Sequence, residues 1–419
     1  MARQMKDSGI EWIGEIPEAW EITNIGRLFS VKAGGDAKPE FYSDTQDSEH
    51  KYPVYTNTLN PNQVYAYTSQ PLFPGNSITV TGRGDIGHAF YRTTDYDAII
   101  RLLVLTPECD IDCRYYAYWI ENVITFFTNS AAVGQLSAQQ IVPYKTCYLP
   151  LAEQQRIASF LDRKCAEIDA VIERTKATIE EYKKLKQAVI TEAVTKGVRG
   201  PRPMKDSGIE WIGEIPEEWR TTALKRICRR ISDGSHFSPE TTSTGKPYVT
   251  AGDIHGKGID YTRCRTISDE DFDLMVKAGC QPHKGDVLIV KDGATTGRVG
   301  LMTDDEDCVL LSSVAMITPA HGVNSTYLMY LMESKLLQHQ ISKSMAGSAM
   351  PRITLINLVA YTVIDCPEEE QIEIVTYLDE KCAALDTLIA KKTALLTELE
   401  TYKKSLIYEC VTGKKEVSL

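Results

Sequence analysis

The stretch MKDSGIEWIGEIPEAW at residues 5–20 returns at residues 204–219 as MKDSGIEWIGEIPEEW, changed only at Ala19 and Glu218. A second pair follows: EQQRIASFLDRKCAEID from Glu153 and EQIEIVTYLDEKCAALD from Glu370. Extended without a gap over residues 153–195 and 370–412, this pair holds 17 identities in 43 positions. A chain built from two copies of one unit has to fold both copies alike, so the duplication constrains the architecture more than any single motif does. The offset is 199 residues for the opening motif and 217 for the later one, which makes the second middle 18 residues longer. Constant ends around divergent middles describe a repeated scaffold that carries two variable modules.

The later repeat has helical spacing. Apolar residues fall at Ile157, Leu161, Cys165, Ile168, Ile172, Ile179, Tyr182, Leu185, Val189 and Ala193, and each residue 217 positions on is apolar as well, from Ile374 through Tyr402 to Cys410. A period near 3.5 without Gly or Pro predicts a coiled-coil helix of ~43 residues and ~64 Å in each half. A helix packed on its own domain's core is the plainer alternative. The one skipped position is polar in both copies, Thr175 and Lys392, midway along each ladder, so an antiparallel pair would place its pseudo-twofold axis near them. Gly197 and Gly413 stand where a helix C-terminus favours a left-handed residue, and VRGPRP after the first is a short linker.

Between motif and helix the runs are short, β-branched and broken by Gly and Pro: PVYTNT, NSITVTGRGDIGHAFY and AIIRLLVL in the first half, KPYVTAGDI and GDVLIVKDGATTGRVGLM in the second. The expected fold class is α+β, with two mixed α/β modules joined by two long antiparallel coiled-coil helices in a pseudo-twofold tandem repeat. The first module covers residues 1–150, its helix and linker 151–203, the second module 204–366 and the second helix 367–419.

No apolar run approaches a membrane span and no secretory signal is evident, so a cytoplasmic, soluble protein is expected. Eleven scattered cysteines lack C-x-x-C spacing and read as reduced thiols, with no metal site. The net charge of −11 argues against indiscriminate nucleic-acid binding, and leaves binding through a few placed cations or a partner's surface. Walker A, HExxH, GxSxG, deaminase and amino-methyltransferase signatures are absent, so no catalytic residues are assigned.

Two glycine-studded loops each follow an apolar strand, at residues 81–87 and 291–298. Glycines let backbone approach a phosphate while Arg reaches a guanine edge, which makes Arg83, Lys291, Thr295, Thr296 and Arg298 candidate DNA contacts. Asn57 in YTNT could read adenine, and Ser235 and His236 in SDGSH could contact phosphate, although Asx-turn chemistry explains those turns equally well.

MKDSGIEWIGEIP, GDVLIVKDGATTGRVG, DGSHFSP, and PLAEQQRIASFLD before a long helix, all in order, closely resemble the specificity subunits of type I restriction-modification enzymes. The resemblance implies one target recognition domain and one conserved spacer helix per half, each domain reading one part of a split double-stranded DNA target. It implies modification subunits that methylate adenine with S-adenosylmethionine, and restriction subunits that use ATP and Mg to translocate and cleave. Service to a methyltransferase alone is the nearest alternative; a coiled-coil scaffold whose β modules bind protein is the alternative of another class.

Overall fold

The computed structural model describes residues 3–126, 135–345 and 351–417. The chain packs as two units, residues 1–176 with 394–419, and residues 177–393. The boundaries fall at Lys176/Ala177 and Thr393/Ala394, inside two long helices, Leu151–Lys196 and Glu368–Val411. Each unit thus holds one module, the N-terminal part of its own helix and the C-terminal part of the other. Among the described residues no helix is long and apolar enough to cross a membrane.

The divergent middles fold to one topology. In the first unit an antiparallel sheet runs in the order Phe29–Ala33, Leu103–Pro107, Ser77–Val80, Ala89–Arg92; in the second the order is Cys228–Asp233, Val314–Pro319, Val287–Val290, Val299–Leu301. One central strand of each sheet, Ser77–Val80 and Val287–Val290, is buried along its whole length, which is why SITV and VLIV read as continuous rather than alternating patterns. A smaller sheet flanks each, and each contains one parallel pair, Tyr52–Tyr55 with Asp97–Ala98 and Lys246–Val249 with Val309–Leu310. The run AIIRLLVL is not one strand: it is cut by a turn at residues 99–102, so Asp97–Ala98 belongs to the small sheet and Leu103–Pro107 to the large one.

The opening repeat forms a short hairpin in each unit, Met5–Asp7 with Glu15–Pro17 and Met204–Asp206 with Glu214–Pro216, and delivers Trp20 and Trp219 to the core, both fully buried. Burying an indole contributes roughly 5 kcal/mol. Each indole N–H donates 3.1 Å to a carboxylate in the first turn of a long helix, Trp20 to Glu153 and Trp219 to Glu370. Arg3 pairs with Glu153 at 2.7 Å and Arg202 with Glu370 at 2.6 Å. The repeated sixteen residues are therefore the socket that holds the start of each long helix. The helices stop at Gly197 (φ +78°) and Gly413 (φ +74°), the latter against Pro17 and Trp20.

Within each unit the helix segments run antiparallel. In the first, Lys403 Nζ lies 2.7 Å from the Asp169 carboxylate; in the second, Lys186 Nζ lies 2.7 Å from that of Asp386. Asp386 and Lys403 stand 217 residues after Asp169 and Lys186, so the two ion pairs are one contact made twice. The apolar ladder needs one correction. Leu185 and Tyr402 point outward, 49% and 53% exposed, while the side chains of the neighbouring Lys186 and Lys403 are the more buried, 26% and 28% exposed. An α-helix of 3.6 residues per turn drifts from a strict 3.5 repeat, and the ladder shifts by one residue where it has drifted far enough.

Candidate nucleic-acid interface

Each glycine loop leaves the central sheet at the end of a buried strand and turns back through a glycine at positive φ. Gly87 (φ +91°) donates its N–H to the Thr81 carbonyl at 2.8 Å, and Gly297 (φ +90°) donates to that of Val290 at 2.8 Å. Gly82 has no alternative: a Cβ there would lie 2.7 Å from the Arg101 carbonyl oxygen and 3.0 Å from that of Leu136.

In the first unit Asn57 is the clamp of the loop. Its Oδ1 accepts from the backbone N–H groups of Gly82 (2.7 Å) and Arg83 (3.2 Å), and its Nδ2 donates to the Ile100 carbonyl at 2.6 Å. The side chain that sequence reasoning set against adenine is thus engaged with backbone on both sides. Arg83 is exposed, and its guanidinium has no hydrogen bond or ion pair among the described residues.

In the second unit the clamp is ionic. Lys291, whose side chain is 3% exposed, donates to Asp233 at 2.8 Å. Burial alone would push the Asp233 carboxyl up; the hydrogen bond and charge of Lys291 outweigh it and hold the acid below its ordinary value. Lys291 is an internal counter-ion, not the surface cation that its place in a glycine loop suggested. The strand before it is buried on both faces, and its side chain follows that strand inward. His236 is exposed, with Nε2 3.3 Å from the same carboxylate. Ser235 is buried and closes the turn, accepting from Phe237 N–H at 3.0 Å, and Phe237 is 55% exposed.

Thr296 Oγ1 donates to the Gly293 carbonyl at 2.6 Å, a turn bond, while Thr295 and Arg298 are half-buried. Thr295, Thr296 and Arg298 line a cleft of about 910 Å³ with Lys183, Lys186 and Asp386 of the helix segments. Arg298 Nη1 reaches the Ile254 carbonyl at only 3.5 Å, so its charge is largely uncompensated by hydrogen bonding. Arg83, His236 and Arg298 are therefore the candidates positioned to meet a ligand directly; Asn57, Ser235, Lys291 and Thr296 shape the loops that present them.

Sequence reasoning passed over Arg101, Ile100, Phe237 and Arg352. Arg101 and Ile100 were hidden inside an apolar run with no Gly, Asn or Pro to mark a turn. Arg352 is exposed and lies 3.2 Å from Asp292 across a bridge between the second glycine loop and residue 352; the matching bridge in the first unit joins Arg83 to Gln135. No local pattern announces either bridge. Among the described residues no group of three or more His, Cys, Asp or Glu side chains could hold a metal ion.

Two topologically matched modules with cation-bearing loops, each seated on a long helix, define a protein class in which recognition is duplicated. The family model for the type I restriction modification DNA specificity domain matches residues 17–181 and 216–400, and the chain belongs to that family. It is 27% identical to the type I restriction enzyme MjaVIII specificity subunit of Methanocaldococcus jannaschii over 358 residues, 81% of this chain and 80% of that subunit. It is 27% identical to the EcoBI specificity subunit of Escherichia coli over 275 residues, and 30% identical over 160 residues to a putative type I specificity subunit of Mycoplasma pneumoniae. These two matches span 57% and 48% of the relatives' own lengths, about half. A solved structure describing complex assembly and conformational transition of the type I R-M system aligns over 96% of this chain and 99% of its own, with TM-score 0.70 at 14% identity, a likeness of fold.

Proposed function

We propose that this chain is the DNA-reading specificity subunit of a type I restriction-modification complex, in which each module recognises one part of a bipartite double-stranded target. The observation that carries the reading is the contrast within the repeat. The socket, the helix ion pair and the sheet order recur in both units, while the loop-tip side chains differ: Arg83 held by Asn57 in one, Arg298 with the Lys291–Asp233 pair in the other. A scaffold kept constant under two different readers is what a split target requires.

The chain supplies recognition, and catalysis belongs to its partners. Modification subunits carry S-adenosylmethionine and methylate an adenine flipped from the duplex. Restriction subunits use ATP and Mg to translocate and cut. With a net charge of −11, the chain leaves much of the phosphate neutralisation to those partners, acting in the cytoplasm. The test is to map N6-methyladenine in DNA from a host that expresses this chain with its cognate modification subunit. Two specific half-sites separated by bases without preference, with one methylated adenine on each strand, are expected. A single continuous motif would refute the reading. Adding the restriction subunit and ATP to unmethylated DNA separates a cleaving complex from one that only methylates.

A further inference from the structure

The turn at residues 99–102 joins Asp97–Ala98 of the small sheet to Leu103–Pro107 of the large one. Leu102 N–H closes it on the Ile99 carbonyl at 3.2 Å, and both central residues are left-handed, Ile100 at φ 55° and Arg101 at φ 62°. Two successive positive φ values are the signature of a type I′ turn, whose usual occupants are Asn-Gly or Asp-Gly. A β-branched residue is among the least tolerant of that region. Such strain persists only where the surroundings impose it, and here they do. Ile100 N–H donates to Gly35 at 2.9 Å, its carbonyl is held by Asn57 at 2.6 Å, and the Arg101 carbonyl is wedged against Gly82.

The second unit makes the same connection without strain. Ser312 N–H donates to Ser235 at 2.9 Å and Val314 N–H to Leu311 at 2.9 Å, the same two bonds, and neither Ser312 nor Ser313 has positive φ. The fold therefore does not require a left-handed backbone at this place. What the strained version adds is what it displays: Ile100 is 44% exposed, Arg101 is exposed, and the Arg101 guanidinium, like that of Arg83, has no partner among the described residues. One side chain, Asn57, fixes the backbone of Arg83 and of Ile100 together. Two guanidinium groups without a partner among the described residues, on backbone that Asn57 ties to that of an exposed apolar residue, suit base edges in a major groove, where Arg binds guanine O6 and N7 and an apolar group meets the thymine methyl.

We propose that Ile100 and Arg101, clamped with Arg83 by Asn57, form the base-reading tip of the first unit and determine specificity at adjacent positions of its half-site, with no counterpart in the second unit. The proposal rests on the DNA-reading function above. Its test uses the complex with the modification subunit, comparing wild type, Arg101→Ala and Ile100→Gly. Wild type mapped in parallel keeps the two readings apart, because a wild-type complex lacking a bipartite motif defeats the function itself. In methylation maps Arg101→Ala should lose preference at one guanine-bearing position of one half-site, with affinity for the wild-type target lowered roughly 10- to 100-fold. Ile100→Gly should relax a neighbouring position in that same half-site, and its thermal midpoint should equal or exceed that of wild type, since glycine relieves the strain. The other half-site and the spacing should stay as they are. The proposal is overturned if both variants keep the wild-type motif with affinity within about twofold. Equal weakening on all DNA sequences, the behaviour of a phosphate contact or of lost partner binding, also overturns it, as does a fall in the midpoint of Ile100→Gly.

Discussion

At the scale of single residues, the charged groups divide into those that hold the fold and those that face outward, and burial decides which. Glu370 is 2% exposed and takes both the Trp219 N–H and Arg202, whereas the Glu153 side chain is 15% exposed with the matching pair. Removing one partner of a buried pair leaves the other uncompensated. Glu370→Ala should destabilise the protein by ~3 kcal/mol, and Glu153→Ala by less, in urea unfolding followed by tryptophan fluorescence. Equal small losses for the two would contradict the burial argument. Glu333 is the opposite case. Burial pushes its carboxyl up, Asp386 adds to that, and Lys186 and Lys257 only partly offset it. A raised folded-state value means that this group's contribution is full below the unfolded carboxylate range and is lost as pH rises through the folded value. Glu333→Gln should therefore stabilise the protein near pH 7, and the gain should vanish at about pH 4, in the unfolded carboxylate range. A variant less stable than wild type at neutral pH would show that the carboxylate is held by its neighbours.

At the scale of elements, the long helices are the part that periodicity described best. The ladder from Ile157 to Ile172 is buried, and its copy from Ile374 to Ile389 is buried as far as Cys382 and half-buried at Leu385 and Ile389, because a seam every three or four residues is a property of local spacing. The shift at Leu185 and Tyr402 comes from the drift of a 3.6-residue turn against a strict 3.5 repeat, and the lysines next door pair with Asp386 and Asp169 of the facing helix. These half-exposed pairs contribute little, ~0.2–1 kcal/mol each by double-mutant cycle, and set register more than stability. The helices are predicted to act as a ruler. Seven residues added after both Ile172 and Ile389 keep the heptad phase and lengthen the rod by ~10.5 Å, about 3 base pairs at ~3.4 Å each. Methylation mapping should then show a longer gap between unchanged half-sites, or lost methylation from the added rotation of roughly 100°. Full methylation at the original spacing would exclude the ruler.

At the scale of the whole molecule, the first unit is assembled from both ends of the chain. Tyr408 Oη donates to the Trp12 carbonyl at 2.8 Å, Tyr115 Oη donates to that of Val411 at 2.7 Å, and Gly413 packs on Pro17 and Trp20. The second unit makes the corresponding closure within the continuous chain, where Gly197 lies against Trp219 and Arg202. The same helix end meets the same hairpin in both copies, through the linker of residues 198–203 in one and between segments far apart in the chain in the other. Joining Leu419 to Met1, both outside the described residues, and opening the chain within residues 198–203 should give a soluble permutant that methylates the wild-type motif. An insoluble permutant beside soluble wild type would show that the linker is needed for folding.

Duplication, α+β class, the helix positions and the family were legible in the sequence, because identity between the copies and spacing along one helix are carried by neighbours in the chain. The two sheets, the inward turn of Lys291 and the strained pair Ile100–Arg101 were not. Lys291 looks like any loop cation until Asp233, 58 residues away, is seen 2.8 Å from its Nζ. Ile100 and Arg101 look like the middle of a strand until Asn57, Gly35 and Gly82 are seen to hold their backbone. In both cases the deciding contact joins segments tens of residues apart, and only the packed sheet brings them within hydrogen-bonding distance.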